Sequence, residues 1–321
     1  MALSEEGKMS VLKSYRQGIK EAASQPKMIF VLWLANFILG SIIFYLFYGA
    51  FSRALGNSAV AEGLLRKFDF NFLVEFLTYH QESIATIFSS VFVLILIDFL
   101  VSTFLFGGIL FTLTLRLKSS DPESEKRRFA PIFFQGAGKF FGRFFRLLVY
   151  SLLLWISSLI LYLLLNLFIN IFAGLDAGEL VFFYSLWFRL AIALFIFFLV
   201  RMILDYTRIK IAVEDSPKVF RSLLEMIKFV FKKLGKTLAL YYLLLLTGVV
   251  FFAIFWALKL TIPQESFMTI VIAFLVGQLF IASQAWLRIA FQQAQLVFYS
   301  PVHQELPESS PQEYKNEGLQ S

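Results

Sequence analysis

Three times along the chain a basic stretch with helical spacing runs straight into a pair of long apolar segments. A spanning helix needs about 20 mostly apolar residues, and six segments meet that requirement: 28–51, 84–115, 147–173, 180–204, 237–258 and 267–298. Few soluble folds could bury six such runs. With 59% hydrophobic and 16% charged residues, the chain also lacks the polar surface a soluble domain of this length needs; globular averages are about 45–50% and about 25%. Runs such as Phe195-Ile196-Phe197-Phe198 stand where a soluble helix would show a polar face. The expected fold class is an all-α integral membrane protein of six transmembrane helices, built as three repeats of an amphipathic helix plus a two-helix hairpin. The second and sixth segments are longer than a bilayer is thick. They are expected to tilt or to continue beyond it, with Gly107-Gly108 as the place for the second to bend.

The basic residues set an orientation. With the N-terminus inside, 24 of the 29 Lys and Arg residues fall in inner segments, four fall in outer loops, and Arg189 lies within a span. Such a bias is expected to place both termini in the cytoplasm. The first apolar run begins after 27 mixed residues and is too long for a secretory signal core, so no cleaved leader is expected.

The repeat is visible in three segments, about 8–118, 129–213 and 216–299. Before the first span, Lys13, Arg16, Lys20 and Lys27 share a helical face. Before the third, Lys139, Arg143 and Arg146 do so at i, i+4 and i+7, opposite Phe140, Phe141, Phe144 and Phe145. Before the fifth, Lys218, Arg221, Lys228 and Lys232 lie opposite Phe220, Leu223, Leu224, Ile227 and Phe231. Ser216-Pro217 suits an N-cap followed by a first-turn proline. The even-numbered spans end alike, in Leu115-Arg116-Leu117-Lys118, Thr207-Arg208-Ile209-Lys210 and, more loosely, Leu287-Arg288-Ile289-Ala290. A parallel, pseudo-threefold bundle would follow from units of two spans each. Two regions stand apart: an outer loop whose 68–77 stretch reads as a surface-lying helix, and residues 300–321, whose prolines and glutamates predict a disordered tail.

An ionisable group inside hydrocarbon needs a partner or a role. Asp98 and Arg189 are the clear cases. Aligning Arg116 with Arg208 places Asp98 beside Arg189 in depth, so Arg189 is expected to donate to Asp98. Such a pair either fixes helix order or forms part of an ion path. Arg201, Asp205 and Arg208, at i, i+4 and i+7, let Asp205 bridge both arginines, as a charge-balanced helix end or as part of a phosphate-binding spot. Asn36, Asn166, Asn170, Gln278 and Gln284 are expected to hydrogen-bond between helices. Gly138 and Gly142 make a small-xxx-small pair on the second amphipathic helix, a signal for close packing.

Enzyme signatures are lacking. There is no cysteine, and the only histidines are His80 and His303, so no thiolate, His relay or familiar metal site is expected, and no cofactor. Gly235-Lys236-Thr237 imitates the end of a phosphate-binding loop, but Val230 replaces its first glycine. The net charge of +7 lies on membrane-tethered helices, which favours anionic lipid over nucleic acid. Three functions therefore stand open: a non-enzymatic protein contacting anionic lipid of the cytoplasmic leaflet, a membrane-protein partner or itself; a transporter or channel for a small or lipid-like solute; and, least favoured by these residues, an intramembrane enzyme.

The run Asp205-Tyr206-Thr207-Arg208-Ile209-Lys210-Ile211-Ala212-Val213-Glu214-Asp215, with Ser216-Pro217 opening the next helix, resembles a group of uncharacterised bacterial multipass proteins. These include relatives of the membrane domain attached to some glycerophosphodiester phosphodiesterases. The likeness covers about residues 143–298. It implies a bacterial inner-membrane location and assigns no catalytic residue, since the phosphodiesterase domain has no counterpart in this chain.

Overall fold

A computed structural model describes residues 11–55, 70, 74, 78–79, 81–118, 129–173, 179–263 and 266–304. The surface helix expected over 68–77 falls almost wholly outside these residues, as does the tail beyond 304. The protein is all-helical, with eight helices among the described residues: α1 (Val11–Ala23), α2 (Pro26–Leu55), α3 (Gln81–Lys118), α4 (Phe129–Ala173), α5 (Glu179–Val213), α6 (Val219–Lys232), α7 (Leu234–Thr261) and α8 (Phe267–Gln304). Six of them, α2, α3, α4, α5, α7 and α8, are long and apolar enough to cross a membrane.

Local chemistry explains where these helices start and stop. Pro26 opens α2, where its missing N–H costs nothing, and separates α2 from α1. Between α6 and α7 the break falls at Lys233, whose N–H caps α6 by bonding to the Phe229 carbonyl. No such punctuation stands between the basic stretch at 139–146 and the span that follows. The second basic segment and the third span accordingly form one helix of 45 residues, about 67 Å long, which overshoots any bilayer. Helix α6 starts later than expected. Its N-cap position is Lys218, without a side-chain cap, while Ser216 Oγ meets Ser222 Oγ at 3.3 Å. The turn between α5 and α6 places Asp215 at φ 52°, a left-handed conformation that the short Asp side chain tolerates better than most. At the other end, 300–304 continue α8 instead of starting an irregular tail.

The chain divides into two compact units. One comprises Met1–Ser24, Arg146–Phe252 and Leu287–Ser321; the other comprises Gln25–Phe145 and Ala253–Trp286. In the first, the core gathers around the C-terminal third of α5. Met202, Ile203, Tyr206, Ile209 and Ile211 are buried there with Val219, Leu223, Met226 and Val230 of α6 and Ile289, Ala290, Ala294 and Val297 of α8. Helix α1 lays Ser14, Gly18 and Ala22 against this core. A Cβ on Gly18 would stand 2.5 Å from the Cβ of Ala294, so only glycine permits that approach.

In the second unit α3 and the start of α4 pack through small residues and rings. A Cβ on Gly108 would meet the Phe133 ring and carbonyl at 2.8 Å, and one on Gly136 would meet Phe111 at 2.3 Å. Phe104 contacts Phe134 and Phe141, and Phe111 contacts Phe140. Gly107-Gly108 thus serves close packing within an unbroken helix. Gly138 and Gly142 do not: a Cβ on either would point into open space, because the packed face of α4 runs instead through Phe133, Gly136, Ala137, Phe140 and Phe144. Trp33 Nε1 donates to Gln278 Oε1 at 3.1 Å, tying α2 to the first half of α8.

The apolar centres of the spans are far less covered than these ends. None of the most apolar window of α4 is buried by protein, and the most covered, that of α3, is 39% buried.

Candidate functional site

The polar groups that the sequence singles out sort into a basic set at the covered helix ends and two charges among the uncovered spans. At the end of α5, burial selects a polar network. Lys210, nearly inaccessible, donates to both carboxylate oxygens of Glu214 at 2.6 and 2.7 Å and pairs with Glu225 of α6 at 3.0 Å. Tyr299 of α8 donates to Glu214 at 2.6 Å, and Arg221 donates to Glu225 at 2.8 Å. One ammonium and two carboxylates thereby hold three helices together. Partial burial works to raise the Glu225 pKa, but the hydrogen bonds and fields of Lys210 and Arg221 outweigh it and hold the carboxyl below its ordinary range.

Asp205 is buried one turn above. Arg208 donates to it at 3.0 Å; Arg201 is exposed and acts on it through its field. The expected double bridge is therefore half made. The third positive group facing Asp205 is Arg288 of α8, which the sequence alignment counted only as a helix-end charge. Arg288, Gln292, Gln295 and Tyr299 recur at i, i+4, i+7 and i+11, a polar stripe along an otherwise apolar helix, and that spacing was the overlooked signal. Gln292 and Gln295, with Gln293, are almost fully buried and keep side-chain atoms without a protein partner, as does the Tyr206 hydroxyl. Gln293 also donates to Glu21 of α1, whose other oxygen takes a bond from Gln17 at 2.7 Å.

The three basic stretches are placed as follows. On α1, Lys13, Arg16 and Lys20 lie on the exposed side and, with Gln17 and Glu21, line an open groove along the helix. On α4, Lys139 and Arg146 are exposed and Arg143 half-buried; Lys139 sits 5.4 Å and Arg143 5.3 Å from the centre of the Phe140 ring. On α6, Lys218, Arg221, Lys228 and Lys232 are exposed. The apolar side of α6 is split in two. Val219, Leu223, Met226 and Val230 face the core, whereas Phe220, Leu224 and Phe231 remain 45–56% exposed beside the basic row. Phe134 and Phe145 are similarly exposed on α4. Helix α1 and helix α6 belong to one unit and 129–145 to the other, so only the first two are described within one body.

Asp98 and Arg189 fall in different units. Arg189 Nη2 donates to Asn170 Oδ1 at 2.6 Å, a bond within the α4–α5 hairpin. Asp98 is exposed on α3. Of the expected interhelical amides, Asn170 and Gln278 behave so, while Asn166 bonds back to the Tyr162 carbonyl of its own helix. Among the described residues there is no group of three or more His, Asp or Glu side chains suited to holding a metal ion. No protein-family model, no curated protein and no solved structure matches this chain.

Proposed function

We propose that this is a non-enzymatic multipass protein of a bacterial inner membrane, whose amphipathic helices bind anionic lipid at the cytoplasmic surface. The observation that carries the reading is the double character of α6. Its core-facing stripe is satisfied by protein, yet Phe220, Leu224 and Phe231 are left uncovered directly beside Lys218, Arg221, Lys228 and Lys232. An uncovered aromatic stripe next to a basic one suits the boundary between acyl chains and phosphates. Each basic residue near an anionic leaflet is worth about 1 kcal/mol. The exposed cations of α1 and α4 extend the same chemistry, and the orientation follows from the Lys and Arg bias of the sequence. The resemblance to bacterial multipass proteins agrees with this location.

The test is reconstitution of the full chain in nanodiscs of zwitterionic lipid with and without phosphatidylglycerol. Anionic lipid is expected to raise the apparent Tm of the wild type, and replacing Lys218, Arg221, Lys228 and Lys232 together by Gln is expected to remove most of that increment. An equal Tm in both lipids for the wild type would overturn the reading. One observation favours the transporter alternative: Gln292, Gln293 and Gln295 carry unpartnered polar atoms at the buried end of α8. A solute path would use them. Flux of a solute across proteoliposomes that Gln292→Leu abolishes would support it.

A further inference from the structure

We infer that the chain self-associates within the membrane, with Asp98 of one copy receiving the guanidinium of Arg189 of a second copy. This goes beyond the lipid reading, which needs no second copy, and stands or falls separately from it.

Asp98 is the starting point. It lies in the apolar stretch of α3, and every residue from Ile95 to Leu100 is exposed, so at this level no side of the helix is covered within its unit. Among the described residues Asp98 makes no hydrogen bond or ion pair. A carboxylate facing hydrocarbon without a partner is among the least favourable arrangements in a membrane protein, and the usual resolution is a cation from a neighbouring helix. Arg189 supplies the complementary deficit. A guanidinium carries five N–H donors; Arg189 directs Nη2 to Asn170, and its Nε is left without any hydrogen-bond partner. Asn170 is neutral, so the positive charge is not balanced.

Depth makes the match specific. Counting from Arg116 on α3 and from Arg208 on α5, Asp98 and Arg189 stand about 27 and about 28 Å up their helices. Two helices of the same polarity, anchored by their basic ends at one surface, bring these groups to one level. Arg189 is flanked by the exposed side chains of Trp187, Phe188 and Leu190, an apolar surface that a second helix can cover. In a closed two-fold dimer each copy gives one Asp98 and one Arg189, so two identical pairs form and no charge is left over.

The natural absence of cysteine makes the test direct. Two differently tagged full-length copies are co-expressed, one carrying Asp98→Cys and the other Arg189→Cys, and the membranes are treated with a short bismaleimide. A product bearing both tags is expected, about tenfold above the level found when Leu164→Cys replaces Arg189→Cys. Absence of that product overturns the inference. So does a cross-link confined to a single chain carrying both cysteines and migrating at monomer mass, which would place the pair inside one copy. Because each cysteine removes one member of the pair, a second measurement leaves Arg189 intact. Co-purification of the two tags in mild detergent is expected to fall about tenfold when both copies carry Asp98→Asn, which inserts more readily than the wild type. Unchanged co-purification overturns the inference.

Discussion

Replacing Gly136 by alanine tests how α3 and α4 are held together, and the same helix provides its own controls. A methyl group at Gly136 would lie 2.3 Å from the Cβ and 2.5 Å from the Cδ1 of Phe111. Carbon atoms pack at about 3.5–4.0 Å, so the overlap exceeds 1 Å. The Phe111 Cβ is attached to helix backbone and cannot swing away, which leaves separation of the two helices as the main relief. Overpacking costs about 1–3 kcal/mol, and an overlap against a near-backbone atom belongs in the upper half of that range. Alanine recovers about 1 kcal/mol of helix propensity over glycine. The net expectation is a loss of about 1–2 kcal/mol. At Gly138 and Gly142 the added methyl meets nothing within 4 Å, so only the propensity gain remains, about 0.5–1 kcal/mol each.

Thermal unfolding of the purified full chain in detergent, followed by fluorescence or by loss of the soluble monomer peak, reads the difference. For a chain of this size each kcal/mol moves Tm by about 2–4 °C. Gly136→Ala should therefore melt below the wild type, and Gly138→Ala and Gly142→Ala at or above it, with a gap of about 3–12 °C between the two classes. Gly136→Ala melting with or above Gly138→Ala would refute the reasoning. It would mean that the small-xxx-small pair at 138 and 142, and not the face through Gly136, carries the contact.

Lys210→Met removes the ammonium that bonds both oxygens of Glu214 and pairs with Glu225. Allowing for the partial exposure of Glu225, the expected loss is about 2–3 kcal/mol, seen as an apparent Tm lowered further than by Arg221→Gln, whose side chain is 72% exposed. Gly18→Leu should detach α1, raising its cleavage by trypsin at Lys13, Arg16 and Lys20 without displacing the protein from the membrane. Glu225 has a folded pKa below its ordinary value of 4.5, so its pairing contributes stability that is complete above that value and is lost as the pH falls through the folded pKa. Between pH 6 and pH 3.5 the Tm of Glu225→Gln should fall less steeply than that of the wild type; parallel curves would count against the pairing.

What the sequence revealed and what it hid follow from the range of the forces involved. Hydropathy is a local sum, and a run of about 20 apolar residues reads the same wherever it packs; the six spanning helices follow from it. The basic rows of α1, α4 and α6 were equally legible, since they depend on spacing alone. Packing partners are not local. The periodicity of α6 separated basic from apolar residues but could not divide the apolar ones into a core stripe at Leu223 and an uncovered stripe at Phe220, Leu224 and Phe231. Gly138 and Gly142 had the spacing of a packing motif on the wrong face, and the amide of Asn170 that Arg189 meets lies 19 residues away across a helix hairpin. Lys210 passed for one more inner-end cation, although Glu214 stands four residues on.

Burial in this protein runs opposite to the pattern of a soluble bundle, and that inversion ties the observations together. Protein covers the helix ends, where Asp205, Lys210, Gln292, Gln293 and Gln295 are buried, and leaves the most apolar windows largely bare. In water such windows would collapse on one another. In a bilayer they gain nothing by doing so, because acyl chains solvate leucine as well as leucine does. Specific order must then come from close packing and polar contacts, and these lie where α1, α5, α6 and α8 converge and where α3 meets α4. Substitutions at the ends should accordingly be felt in stability, and apolar exchanges in the bare windows should be nearly silent. Leu153, Leu164 and Leu167 of α4, each more than half exposed, can be replaced together by Val with no expected change in Tm beyond the small helix-propensity cost. A large loss from that triple substitution would show that a neighbour of fixed shape, not fluid lipid, covers this face.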